Sequence, residues 1–177
     1  KKFLPEEIDG MKGEDSEGLT AIIASWAVSL SCLLALVLLG ADLFGKNTGS
    51  FSLGQWLTSD TFTIRVNFIT TGFNLVLAAL FSLLLLIIIR FSINYMHRET
   101  GFHRFFFILS LFASAMLLLV LSGNAVGTFF GWEIAGLCSY ILIAFAYNRP
   151  IAGINATRVF VTNRIGDASF IMGTGLS

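Results

Sequence analysis

In "GTFFGWEIAGLCSYILIAF", Gly127 to Phe145, Glu133 is the one carboxylate in a stretch that is apolar almost throughout. An acid in such surroundings is costly unless it has a partner, water or a proton. A group moving between those conditions can take up and release a proton. The plainer alternative is a permanently protonated Glu133 that donates one hydrogen bond to a neighbouring helix and only joins helices. A second constellation stands at "TNRIGD". Arg164 and Asp167 are spaced i, i+3, and Asn163 and Asp167 i, i+4, so on a helix the three polar groups meet on one side. Arg164 and Asp167 form either a structural ion pair or a charge whose pairing switches between Asp167 and a neighbour as protons move. Arg158, six residues ahead of Arg164, extends this polar strip.

Around Glu133 a helix presents Gly136, Ser139 and Tyr140 on or near one face, which either admits water or only allows close packing. His97 and His103 flank the "MHRETGFH" loop, where they serve as proton-admitting groups near neutral pH or as ordinary solvated surface. The acidic start, Glu6 to Glu17, reads as a solvated loop. Cys32 and Cys138 stand singly in apolar runs, without CxxC or Cys/His spacing, and read as small packing residues. A Gly-rich phosphate loop, a nucleophile elbow, HExxH and a Cys-rich cluster motif are all missing, so no redox site is expected in this chain.

These side chains need elements to hold them. Of 177 residues, 55% are hydrophobic and only 12% charged, against about a quarter charged in soluble domains. Eleven basic and eleven acidic residues cancel, so net charge recommends no nucleic acid as partner. A bilayer core about 30 Å thick needs about 20 apolar residues. Five spans fit, at about 19–39, 68–89, 104–121, 125–147 and 151–177, within a transmembrane region 19–177. A loop precedes them at 1–18, and a polar surface connector at 40–65 carries Trp56 as an interfacial anchor. From Phe105 to Tyr147 hydrophobicity hardly drops, and one helix of that length would reach about 65 Å. The chain is therefore expected to fold back at "SGN", Ser122 to Asn124, and "NRP", Asn148 to Pro150, closes the fourth span.

Lys1, Lys2, Lys12, Arg90, Arg98, Arg104 and Arg149 collect on one side, with Arg158 and Arg164 nearby, whereas the other side holds Lys46 and Arg65. Basic loops stay inside, which puts the chain start, the 90–104 loop and "NRP" on the cytoplasmic or matrix side. An acidic segment followed by a long apolar run does not fit a secretory signal, and the sequence reads as a piece of a longer chain. The fold class is all-α, a polytopic transmembrane helix bundle.

"YMHRETGFHRFF", "GWEIAGLCSYILIAF", "NRP" and "VTNRIGDASFIMG", in that order between Tyr95 and Gly173, resemble the chain 5 subunit of respiratory complex I, NADH-quinone oxidoreductase. The chloroplast counterpart and the large subunit of multisubunit sodium/proton antiporters are similar too. The resemblance implies an antiporter-like, proton-translocating membrane subunit driven by electron transfer in partner subunits of the same enzyme. Those partners would carry NADH, flavin, iron-sulfur clusters and quinone, with no cofactor in this chain. It implies a proton-path role for Glu133, paired with a lysine beyond Ser177, and places Arg164 and Asp167 in the same network. It also implies a bacterial or mitochondrial inner membrane ahead of a thylakoid. One departure is "TTGFN", Thr71 to Asn74, where the family commonly has an Asp. The alternatives are a subunit of a redox-independent sodium/proton antiporter and a non-conducting membrane scaffold.

Overall fold

The computed structural model describes residues 5–45, 49–58, 63–97, 99, 101–145 and 150–175. Lys1, Lys2, Lys46, Arg98 and Arg149, five of the basic residues that set the expected orientation, lie outside them, as do Asn148 and most of the "NRP" turn. Five helices follow one another: α1 (Pro5–Leu43), α2 (Gly72–Tyr95), α3 (Phe102–Leu121), α4 (Ala125–Ile143) and α5 (Pro150–Gly175). Between α1 and α2 stand two strands, β1 (Ser50–Thr58) and β2 (Thr63–Ile69). Four helical stretches are long and apolar enough to cross a membrane: Ser16–Leu43, Gly72–Tyr95, Phe102–Leu121 and Ala125–Ile143. The protein is an integral membrane helix bundle. α5 is the most polar of the five helices and is not among those four.

Three expectations change. The loop assigned to 1–18 is helical from Pro5 onward. Proline suits the first turn of a helix because its missing N–H has no partner there anyway. Extending an existing apolar helix costs far less than nucleating one, which outweighs the glycines in this segment. The connector at 40–65 contains the antiparallel hairpin β1–β2, in register Ser50↔Ile69, Gly54↔Val66 and Thr58↔Thr63, with irregularities at Ser52/Gly54 and Gln55/Leu57. The alternation Ile64, Val66, Phe68 against Thr63, Arg65, Asn67 is the period-2 signal that carries β2. Because β2 takes residues 63–69, the second helix begins only at Gly72. At its other end it continues past Arg90 to Tyr95, burying Ile89 and Ser92.

A lone two-stranded hairpin is marginal in water, so this one leans on the bundle. Trp56 meets the Phe130 ring edge-on at 5.4 Å. Gly123 N–H donates to the Asn67 carbonyl at 2.8 Å, and the Asn124 side-chain amide donates to the Arg65 carbonyl. On the same end Gly72, at φ +55°, donates its N–H to Asp42 Oδ2 at 3.0 Å. Asn74, in the stretch that departs from the family pattern, donates to the Val120 carbonyl at 3.0 Å and ties the start of α2 to the end of α3.

The core runs between α1, α2 and α3. Ala21, Ala24 and Val28 of α1 pack against Leu85 and Ile89 of α2 and against Phe106 and Leu109 of α3. Cys32 and Cys138 are both free thiols buried among helices. α3 and α4 turn at Ser122–Asn124 and pack tightly at Gly131, where an added Cβ would lie 2.7 Å from the Leu119 nitrogen and 2.9 Å from the Ala115 carbonyl oxygen. Gly131→Ala is therefore expected to lower stability by about 1–3 kcal/mol through overpacking. Gly153→Ala, with nothing within 4 Å of its Cβ, is the control and should cost nothing measurable. Thermal unfolding of the purified protein in detergent checks both, and equal melting temperatures would contradict the close approach.

Candidate functional site

α4 carries Glu133 with eight helical residues before it and ten after, so the carboxylate sits at mid-helix. α5 packs alongside and offers Arg164 and Asp167 one turn apart, so their side chains emerge together toward α4. Arg164 Nη1 donates to Glu133 Oε2 and pairs with it as an ion. Arg164 Nε lies 3.1 Å from Asp167 Oδ2, an ion pair lacking the alignment of a full hydrogen bond. One guanidinium thus spans two carboxylates on two helices, which the planar fork of arginine allows and the point charge of a lysine does not. Asp167 is 4% exposed, while the side chains of Glu133 and Arg164 keep 24% and 35%. The other oxygen of Asp167, Oδ1, accepts from Trp132 Nε1 at 2.7 Å. Beneath the guanidinium the Phe160 ring lies 5.0 Å from Arg164 Cζ, and Tyr140 packs on Phe160 at 5.1 Å.

Glu133, Arg164 and Asp167 are brought together by the fold. Asn163 is near, but the oxygens of Asp167 face Trp132 and Arg164 rather than Asn163. Gly136 faces the cation, and a Cβ there would stand 3.4 Å from Arg164 Nη2, an ordinary van der Waals contact. Arg158 is exposed and outside the cluster, and Ser139, half-buried, is outside it too. The partner of Glu133 among the described residues is Arg164, supplied from within the chain. Trp132 is the member that sequence reasoning passed over, although it adjoins Glu133 in the same motif. Its donor is neutral, and spacing rules for charges give it no weight.

The histidines lie at the other end of α3 from the Ser122–Asn124 turn. His103 Nδ1 is 2.8 Å from Thr20 Oγ1 and its Nε2 is 3.2 Å from Ser16 Oγ. His97 Nδ1 is 3.6 Å from Glu17 Oε2. Both rings are exposed; His103 ties the start of α3 to α1, and His97 stands beside Glu17. Among the described residues, no group of three or more His, Cys, Asp or Glu could hold a metal ion.

Two family models match this chain. Residues 56–106 match the N-terminus of NADH-ubiquinone oxidoreductase (complex I) chain 5, and residues 122–176 match the transmembrane model of NADH:quinone oxidoreductase and Mrp antiporters. The second segment contains Glu133, Arg164 and Asp167, and the two together take in more than half of the chain. NAD(P)H-quinone oxidoreductase subunit 5 of the Nephroselmis olivacea chloroplast is 33% identical over 90% of this chain and 24% of its own length. NADH-quinone oxidoreductase subunit L of Escherichia coli K12 is 35% identical over 88% of this chain and 26% of its own length. NAD(P)H-quinone oxidoreductase chain 5 of Synechocystis is 36% identical over 81% of this chain and 22% of its own length. The chain spans about a quarter of the length of these curated relatives.

Removing one partner from a shared ion pair leaves the others uncompensated. Glu133→Gln and Arg164→Gln should therefore be non-additive in a double-mutant cycle on thermal stability, with a coupling of about 0.5–3 kcal/mol. Asp167→Asn should couple to Arg164→Gln in the same sense. Additive effects for both pairs would show that the guanidinium does not bridge the two acids.

Proposed function

Because this chain belongs to the family of complex I chain 5 and related antiporter-like membrane subunits, we propose that it is part of a proton-translocating NADH-quinone oxidoreductase, with Glu133 as the proton-accepting carboxylate. The observation that carries this reading is the sharing of one guanidinium by two carboxylates at mid-helix. With every group ionised, the trio has two negative charges and one positive. In an apolar bundle that imbalance is relieved by one proton, and its departure is tolerable only when another charge or water takes its place. A site that alternates between those two states moves a proton between the faces to which it is connected. Arg164, which also faces Asp167, sets the field in which Glu133 exchanges.

In this reading the redox reaction proceeds in partner subunits that hold NADH, flavin, iron-sulfur clusters and quinone, and this chain contributes no redox group. Its partners are the other membrane subunits of the assembly and the lipid around them. The membrane is an energy-converting one, a bacterial or mitochondrial inner membrane ahead of a thylakoid. The support is the run of family matches across the chain together with the charge trio inside the matched segment.

Glu133→Gln in the assembled complex, reconstituted in vesicles, should abolish most of the proton translocation while quinone reduction in the partner subunits continues. Acidification followed by a pH-sensitive dye checks this. Undiminished pumping in that variant would favour a scaffold, and sodium-dependent transport by an assembly without redox subunits would favour a cation/proton antiporter.

A further inference from the structure

Between the hairpin and the bundle lies a cavity of about 320 Å³, within the size range of small-molecule sites. The hairpin contributes Trp56 and Arg65 to its wall, the end of α3 contributes Leu118, and α4 contributes Val126, Phe130 and Ile134. None of them belongs to the charge trio on α4 and α5. Their order in depth follows from the backbone. The Asn124 side chain holds the Arg65 carbonyl, so Arg65 stands at the level of the α3–α4 turn, where two spans meet one face of the membrane. Trp56 meets Phe130 edge-on at 5.4 Å, and Phe130 lies about 9 Å along α4 from Asn124. Ile134 lies about 15 Å from Asn124, half of the hydrocarbon thickness.

The cavity therefore carries a cation at the membrane surface and turns apolar toward the middle. Arg65 is exposed, and among the described residues no carboxylate pairs with it. Asp42, an acid at the same end of the bundle, accepts from the Gly72 N–H. The polar side chains of the turn are already engaged, Asn124 with Gly127 N–H and the Arg65 carbonyl, and Ser122 with the Asn124 carbonyl. Deeper in, Leu118, Phe130 and Ile134 give water no partners, and water needs two to four of them to remain. Trp56 and Phe130 are both exposed, so the bundle does not seal the cavity at its side. A molecule that fits has an anionic end at the turn and a slender hydrocarbon body reaching toward mid-membrane. Around an integral membrane helix bundle, phospholipid is the abundant molecule of that form.

We infer that this cavity holds one acyl chain of a phospholipid whose phosphate is bound by Arg65. A guanidinium makes short, charge-assisted hydrogen bonds to phosphate oxygens, and its fork matches two of them at once. The chain beneath lies along Trp56, Phe130 and Ile134 and fastens the hairpin to α4 over the depth of the cavity, adding to the contact of the two rings.

The test titrates phosphatidylglycerol brominated at mid-chain into the purified protein in detergent and reads tryptophan fluorescence, which bromine quenches on contact. The expected result is a saturable quenching component that Trp56→Phe removes and that Val126→Phe, which fills the cavity, abolishes. Arg65→Gln should weaken it about tenfold, and Arg65→Lys, which keeps the charge, should restore most of it. Quenching that never saturates, or that is the same in Arg65→Gln as in the unaltered protein, overturns the inference. So does equal affinity for a brominated diacylglycerol without phosphate. Displacement of the lipid by chain-free glycerol phosphate at a similar concentration overturns the acyl-chain assignment by leaving a phosphate site alone. Should Val126→Phe fail to fold, the variants at the exposed Arg65 and the phosphate-free lipid decide the matter.

Discussion

One guanidinium has to satisfy two carboxylates that belong to different helices, and the arrangement of α4 and α5 follows from that requirement. An ion moved from water into an apolar surrounding loses several kcal/mol, and attraction offsets the loss only where geometry is close and the remaining lone pairs find donors. Arg164 reaches Glu133 with Nη1 and Asp167 with Nε, using two edges of a single plane. Phe160 supports the face of that plane, and Gly136 of α4 lies against the guanidinium. Each of these neighbours makes sense as a condition for keeping the cation where both acids can use it. Because acids outnumber the cation, the trio is not a closed structural pair.

Elsewhere the bundle is held as membrane helices are, by shape rather than by hydrophobic contrast. Lipid tails are as apolar as leucine, so close backbone approach at small residues supplies the attraction. The α1 face against α2 and α3 is made largely of Ala21, Ala24, Ser25, Val28 and Cys32, all buried. Its leucines and isoleucines, such as Ile22, Ile23, Leu33 and Leu34, face outward and are exposed. Between α3 and α4 the same principle reaches its limit at Gly131, where not even a methyl group fits. In water such a distribution would be inverted; in a bilayer it is the expected one.

Much of this was legible in the residues and some was not, for identifiable reasons. Long uncharged runs announce helices because a bilayer demands a minimum length, and the reversal at Ser122–Asn124 was forced by the same length argument. The charge spacing at Arg164 and Asp167 was readable because i, i+3 neighbours on a helix must meet. Their meeting with Glu133 was not readable by that route, since it depends on which faces of α4 and α5 oppose each other across 31 residues of sequence. The helical start of α1 was hidden by glycines and acids that argue locally for a loop, while cooperative extension from the apolar segment decides otherwise. The hairpin at 50–69 was hidden because a 40–65 connector rich in Gly and Thr reads as irregular, and bulges on β1 blur its alternation. Trp132 was missed because an indole in a membrane helix passes for packing or an interfacial ring, and only coordinates reveal its N–H aimed at an acid.

The turn and the site are linked through helical register. Asn124 caps α4, its side-chain oxygen accepting from Gly127 N–H at 2.7 Å, while its amide nitrogen holds the Arg65 carbonyl of the hairpin. Ser122 Oγ donates to the Asn124 carbonyl at 3.0 Å, and Gly123 is fixed to Asn67. The first residue of α4 is thereby set by contacts from two directions. A helix advances about 100° per residue, so moving its start by a single position would swing Glu133 roughly a quarter of a turn away from Arg164. The same rotation would draw Trp132 off Asp167 and press a side chain into the space that Gly131 leaves for α3. The hairpin, which carries none of the charged chemistry, therefore acts on it at a distance, by holding the cap from which the position of the acid is counted.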